Sequence, residues 1–240
     1  MFPTFAPCGD AALLVTLGDR IDLALNRRVH ALARRLSDDG LPGLVAAVPG
    51  YTTLLVHYDP LLLDYDRALE WAQAQVRRVQ AASDDDLPPP RRVEVPTRYG
   101  GEYGPDLDFV AAHCGLTPAE VVRRHTARDY PVYLIGFAPG FPYLGGLDES
   151  IAAPRLPSPR LKVPAGSVGI AGAQTGIYSV DSPGGWRLIG WTPLKLFDPT
   201  RQPASLLVPG DLVRFVAPEG PVEDPGVFAE TVLAGVETSP

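Results

Sequence analysis

Apolar positions change their spacing several times along the chain, and each change predicts an element. Ala12-Leu13-Leu14-Val15-Thr16-Leu17 is an unbroken run of strand length closed by Gly18-Asp19. From Ile21 the spacing becomes three and four, with Ile21, Leu25, Val29, Leu32 and Leu36 on one face and Arg27, Arg28, Arg34 and Arg35 mostly on the other. That period predicts an amphipathic helix, with Asp19 or Asp22 as its cap. Asp38-Asp39-Gly40 ends it, and the runs 44–48 and 53–58 around Pro49-Gly50 predict a hairpin. A second amphipathic helix carries Leu69, Ala72, Val76 and Val79 on one face and Asp64 or Asp66 near its start. The order βαββα is most of a ferredoxin-like α+β unit, whose last strand is either Arg92-Val93-Glu94-Val95-Pro96 or missing.

Residues 81–91 turn acidic and then proline-rich and can bury little, so the pattern divides the chain. We read residues 1–84 as the α+β domain, 85–91 as linker, 92–218 as a mainly-β domain and 219–240 as a loose tail. In the β domain, residues 106–114 predict a short helix ended by Gly115. Thr117-Pro118-Ala119-Glu120 is a capping box with proline at the first helical position: Thr117 accepts from a free amide while Glu120 reaches back. Beyond Tyr130 the runs are short and broken by Gly or Pro: 130–135, 168–172, 177–180, 186–191, 194–197 and 212–216. Strands so short and frequent predict a barrel or a sandwich, with Pro209-Gly210-Asp211 as a closing turn.

Composition narrows the function classes. A net charge of −7 with pI near 5.1 and no Lys/Arg stripe argues against a nucleic-acid partner. The chain begins without a basic segment leading into an apolar core, and no apolar run approaches membrane-spanning length, so the expectation is a cytoplasmic protein with no membrane partner. Cys8 and Cys114 are far apart and lack CxxC or Cys/His spacing, which speaks against a disulfide framework or a metal site. There is no GxxxxGK[ST], no GxGxxG after a strand, no HExxH and no GxSxG.

The chemistry gathers around residues 136–147, where three aromatics (Phe137, Phe141, Tyr143), two prolines and four glycines share twelve positions. Proline fixes φ and glycine opens conformations closed to other residues, so this alternation specifies one rigid path following a buried strand. A rigid aromatic loop at a sheet rim is either a packed turn or the wall of a pocket. Polar residues follow it in sequence, among them Arg155, Arg160, Lys162, Gln174, Thr175, Tyr178, Asp181, Ser182 and Thr192. If extended, the segment around Arg160 and Lys162 turns both cations to one face, as an anion receptor or as a charged edge strand. Gln174-Thr175-Gly176 is either a hydrogen-bonded turn or, with Tyr178, a reader of a lactam or urea-like group. Ser182 has no base beside it and reads as a turn residue lining the pocket. Of the histidines, His125 alone is kept, as a base or an orienter.

These segments resemble a known family. Gly136 to Leu147, Arg160 to Ile170 (RLKVPAGSVGI), Gln174 to Tyr178 (QTGIY) and Ser182 to Trp186 (SPGGW) with Thr192-Pro193 are similar to the signature of the family of 5-oxoprolinase B subunits, also called KipI or allophanate hydrolase subunit 1. The resemblance extends to Gly9-Asp10, Val29 to Leu32 and Tyr99 to Leu107, and so covers nearly the whole chain. It implies an α+β N-terminal domain and a cyclophilin-like barrel. It also implies two partners, a C subunit with a related barrel and an A subunit, the three opening 5-oxoproline to L-glutamate with ATP, Mg as its counter-ion, and this subunit inactive alone. Site roles follow from it as expectations. Lys162 and Arg160 hold a carboxylate or phosphate, Gln174 and Tyr178 hydrogen-bond the lactam, and His125 is a candidate base. Phe137, Phe141 and Tyr143 wall the site, and Ser182, Trp186 and Thr192 line it. No metal ligand is expected. Ala173 stands where Asn or Gln is usual, Ser179 where Pro is common, and Trp191 where Arg usually precedes Thr-Pro.

The same family includes two other kinds of protein. One branch resembles an inhibitor of a sensor histidine kinase, and the family is also similar to a carboxyltransferase half of urea carboxylase, next to the allophanate hydrolase subunits. A chain without a biotin-attachment segment disfavours the carboxyltransferase reading.

Overall fold

The computed structural model describes residues 2–38, 40–81 and 89–218. The chain divides at Pro89/Pro90 into two compact units. The predicted tail 219–240 and most of the predicted linker lie outside the described residues. Arg91, read as linker, is held in the second unit by Asp211 and by the Leu206 carbonyl.

In the first unit β1 (Thr4–Pro7), β2 (Ala12–Thr16), β3 (Leu44–Pro49) and β4 (Thr53–Tyr58) form an antiparallel sheet in the order β1-β2-β4-β3. Alternation along β2 and β4 turns Leu13, Val15, Leu54 and Val56 into one core with Val29 and Leu32 of α1 (Leu23–Asp38) and Val76 of α2 (Tyr65–Ala81). Aspartates start both helices: Asp22 accepts from the Leu25 amide and Asp64 from that of Arg67, each at 2.8 Å. Ile21, expected on the helical face, precedes α1 and is 59% exposed. The ferredoxin-like expectation is corrected in one respect. Arg92–Pro96 does not complete this sheet, because the edge beside β2 is taken by β1 from the start of the chain. Pro7 ends that strand, and an outermost strand tolerates a residue with no amide to donate.

The second unit is an eight-stranded mixed sheet. Its members are β5 (Arg92–Pro96), β6 (Arg98–Tyr99), β7 (Asp129–Ile135), β8 (Pro142–Leu144), β10 (Ser167–Ala171), β11 (Gln174–Ile177), β13 (Arg187–Trp191) and β14 (Leu212–Val216). The order is β5-β14-β7-β8-β11-β10-β13-β6, with only β5 and β14 parallel. β5 and β6 occupy opposite ends of this order, yet Thr97 alone separates them in the chain. The two sheet edges are therefore drawn together, and the sheet curls into a nearly closed barrel. Thr97 is buried at that corner, donating its amide to Val216 O (2.8 Å) and its hydroxyl to Val95 O (3.0 Å). Tyr130, Val132, Ile170, Ile177 and Phe215 are fully buried in the barrel core. β9 (Arg160–Val163) and β12 (Ser182–Gly184) form a separate two-stranded ribbon.

Two helices, α3 (Leu107–Cys114) and α4 (Pro118–Thr126), join β6 to β7. Thr117 caps α4 through the Glu120 amide at 3.2 Å, but Glu120 does not reach back. Its carboxylate is taken by Arg123 and Arg124, both at 2.7 Å. Two strand predictions shift. The strand expected at 177–180 instead spans Gln174–Ile177 as β11, so Gln174-Thr175-Gly176 is strand and not turn, and the 194–197 run is not a strand; Leu194 and Leu196 are core residues there. No helix among the described residues is long and apolar enough to cross a membrane.

Candidate functional site

The loop between β7 and β8 is built as two successive turns. The Ala138 amide donates to Gly136 O at 2.8 Å across Phe137, whose φ is +65°, which makes a γ-turn of the rare positive-φ kind. Phe137 is the one non-glycine residue with positive φ among those described, and such strain collects at functional sites. The next turn closes by Phe141 N–H to Ala138 O at 3.0 Å, with Pro139 and Gly140 (φ +74°) at its centre, the residues a type II turn requires.

This path carries Phe137 outward, 65% exposed, and drives Phe141 inward to 2%. Phe141 becomes the hub of an aromatic cluster. It meets Phe137, Tyr143, Tyr178 and Trp186 edge to face, at centroid distances of 5.4, 5.2, 5.5 and 5.7 Å. These are the separations and tilts that opposed ring quadrupoles favour, each contributing about 0.5–1.5 kcal/mol beyond burial. Five rings thus fix one another and wall a cavity of about 340 Å³. Leu156, Pro159 and the Pro183-Gly184-Gly185 segment complete its lining. Gly184 is required there, because a Cβ would overlap the Tyr178 phenol. Burial raises the pKa of that phenol, partly offset by a hydrogen bond with the Trp186 backbone and by the Arg155 and Arg160 charges. Arg155 is the one charged residue lining the cavity.

The expected site residues are therefore only partly brought together. Phe137, Phe141, Tyr143, Tyr178 and Trp186 converge as anticipated. Arg160 does not reach this cavity. Its guanidinium is bound to the buried carboxylate of Asp106 at 2.9 Å, and it lines a second hollow of about 410 Å³ with Lys162, Tyr103 and Trp191. Lys162 is 72% exposed and pairs with Asp181 at 2.8 Å, which raises its pKa and lowers that of the aspartate. Gln174 sits at the far end of β11, paired with Ala171, and lines no described cavity. Four residues of strand separate it from Tyr178 by about 13 Å, further than a small lactam spans.

His125 is corrected outright. It is fully buried against the barrel interior, where Nδ1 accepts from the Tyr99 hydroxyl (2.8 Å) and Nε2–H donates to Thr175 Oγ1 (2.9 Å). The Thr175 hydroxyl donates its own hydrogen bond to Gly169 O at 3.0 Å, which fixes this tautomer. Desolvation lowers the imidazole pKa to about 3, which favours the neutral ring in this buried hydrogen-bonded position, away from the aromatic cavity. Ser182 lies in β12 beside the wall without lining the cavity, and its buried hydroxyl has no hydrogen-bond partner. Thr192 is buried and does not line the cavity, its amide donating to Gly166 O at 2.9 Å and its hydroxyl accepting from Leu194 N–H.

Two residues gained roles that no sequence signal assigned. Asp106 reads as an ordinary helix-start residue, yet it ties α3 to β13 through the Leu188 amide (2.7 Å) and to β9 through Arg160. Arg155 stands in the same proline-rich stretch as Arg160, and local pattern does not tell them apart. The distinction lies in which acidic partner the fold brings near.

Comparison with known proteins bears on this site. The family model described as carboxyltransferase domain, subdomains C and D, matches residues 3–207. The 5-oxoprolinase B subunit of Bacillus subtilis is 46% identical over 87% of this chain and 90% of its own length. That of Escherichia coli O157:H7 is 47% identical over 87% of this chain and 93% of its own. Among solved structures, TTHA0988 superposes with a TM-score of 0.76 at 40% identity, covering 89% of this chain and 41% of that one. This chain therefore spans about two fifths of TTHA0988.

Proposed function

The chain belongs to the family of 5-oxoprolinase B subunits, and from that premise we propose that it acts as the B component of an ATP-dependent 5-oxoprolinase. In this reading it works with the A and C subunits to open 5-oxoproline to L-glutamate, in the cytoplasm, and is inactive alone. The observation that carries the reading is the convergence of the family segments 136–147, 174–178 and 182–186 on one aromatic cavity.

The cavity suits a small ring. Its walls are rigid aromatic faces, with the Tyr178 phenol as the hydrogen-bonding group able to meet a lactam. It does not suit a nucleoside triphosphate, since one guanidinium among apolar walls balances only a fraction of that charge. We therefore place ATP elsewhere in the complex. An unactivated lactam resists water because its nitrogen is a poor leaving group and its carbonyl a weak electrophile. Phosphoryl transfer from ATP to the lactam oxygen, with release of ADP, makes the carbon electrophilic. Water then adds, the C–N bond breaks as the nitrogen takes up a proton, and a second water hydrolyses the resulting acyl phosphate to glutamate and phosphate. This chain's residues have the task of holding the ring and excluding bulk water while that happens.

The test is to purify the chain with candidate A and C subunits and to measure glutamate released from 5-oxoproline with and without ATP. ATP-dependent release only when this chain is present supports the reading. No release in any combination, with tight binding to a histidine kinase instead, overturns it.

A further inference from the structure

We propose that Arg155 is the receptor for a carboxylate carried by the ring that occupies the aromatic cavity, and so sets the charge specificity of the site. The inference rests on the reading of that cavity as the substrate site. Three observations converge on it.

The cationic side chains near the cavity differ in what they already hold. Arg160 is engaged by buried Asp106. Lys162 is engaged by Asp181 and points away into the second hollow. Arg187 is buried, with its guanidinium 3.5 Å from the Phe109 ring centroid and Nε donating to Pro154 O at 3.2 Å. Arg155 alone lines the cavity, and among the described residues it has neither an ion pair nor a hydrogen bond. A guanidinium without a partner at the mouth of an apolar pocket is arranged for an anion that arrives with the ligand.

The backbone on either side of Arg155 is pinned. Pro154 O accepts from Arg187, and the Leu156 amide donates to Gly185 O at 2.8 Å. The side chain thus springs from a fixed point in the cavity lining, which lowers the entropy lost on binding. Finally, Arg155 and Tyr178 both line this one cavity, so the two groups face a common space. A five-membered ring seated in this cavity would present its carboxylate to Arg155 and an amide edge to Tyr178. The overall protein charge of −7 makes this local positive site the more necessary for an anionic ligand.

The experiment uses the complex of this chain with its partner subunits, carrying Arg155→Met or Arg155→Lys. The expected result is a roughly tenfold rise in KM for 5-oxoproline with Met, partial recovery with Lys, and a nearly unchanged kcat and Tm. An unchanged KM overturns the proposal, as does a KM rise matched by a loss of Tm. If the wild-type complex fails to turn over 5-oxoproline, the proposed function fails, and the Arg155 assignment is decided on the chain alone. Its tryptophan fluorescence is then titrated with 5-oxoproline and with 2-pyrrolidinone, the same lactam without a carboxylate. Preference for 5-oxoproline that disappears in Arg155→Met supports the assignment. Equal binding of both compounds by both proteins, or no binding of either by wild type, overturns it.

Discussion

Replacing Arg160 by methionine should cost stability and leave ligand affinity alone, the reverse of what an anion receptor would show. Arg160 meets an Asp106 carboxylate whose side chain is 9% exposed, while its own is 29% exposed. Breaking a fully buried pair costs about 3–5 kcal/mol, because the remaining charge is left without a partner. Here the penalty is smaller. Asp106 keeps the Leu188 amide at 2.7 Å and has Arg187 at 3.8 Å as a second cation, so about 2 kcal/mol is the working figure. For a unit of this size that is about 4–8 °C in Tm. The assay is thermal and urea unfolding of Arg160→Met, Asp106→Asn and the double variant, alongside KM for 5-oxoproline in the complex. A double variant costing less than the sum of the two singles identifies the pair as the origin. Unchanged Tm with a raised KM would refute the reasoning and return Arg160 to the binding site.

Gly184→Ala should displace the Tyr178 ring, costing about 1–3 kcal/mol and raising KM, visible as altered near-UV circular dichroism. Phe137→Asn trades strain against packing. Positive φ costs a phenylalanine about 1–2 kcal/mol and asparagine less, while the lost ring contact with Phe141 contributes about 0.5–1.5 kcal/mol. Stability should therefore stay within about 1 kcal/mol while KM rises; a large loss of stability would show that the ring has a mainly structural role. His125 should make the protein acid-sensitive. Its folded pKa of about 3 lies below the ordinary value, so as pH falls through about 6.5 the unfolded chain takes up a proton that the folded one refuses. Stability from this group is then complete above about pH 6.5 and falls by roughly 1.4 kcal/mol per pH unit down to pH 3. Urea unfolding at several pH values should give a steeper slope for wild type than for His125→Gln. Equal slopes would show that the histidine titrates normally in the fold.

Much of the fold was legible because its signals are local. The spacing of Val29, Leu32 and Leu36, the aspartate caps, and the Thr117-Pro118 start of α4 each involve residues within a turn or two of one another. Periodicity reports such neighbours directly. The Gly/Pro alternation of 136–147 likewise announced a rigid aromatic loop, since backbone conformation there is set by residue type at each position. Ile21 shows the limit: it keeps the apolar period yet stands before the cap, outside the helix.

What the sequence by itself determined was therefore most of the local elements and the rigid aromatic loop. Tertiary structure alone decided which groups share a cavity. Lys162 and Arg155 are chemically similar, and a contact made between segments distant in the chain leaves no periodic trace. Asp181 and Asp106 neutralise two of the candidate cations only because the ribbon of β9 and β12 and the start of α3 are folded against them. His125 was moved from a candidate base to a neutral strut by the same cause, since desolvation depends on everything that surrounds a group and not on its neighbours in the chain.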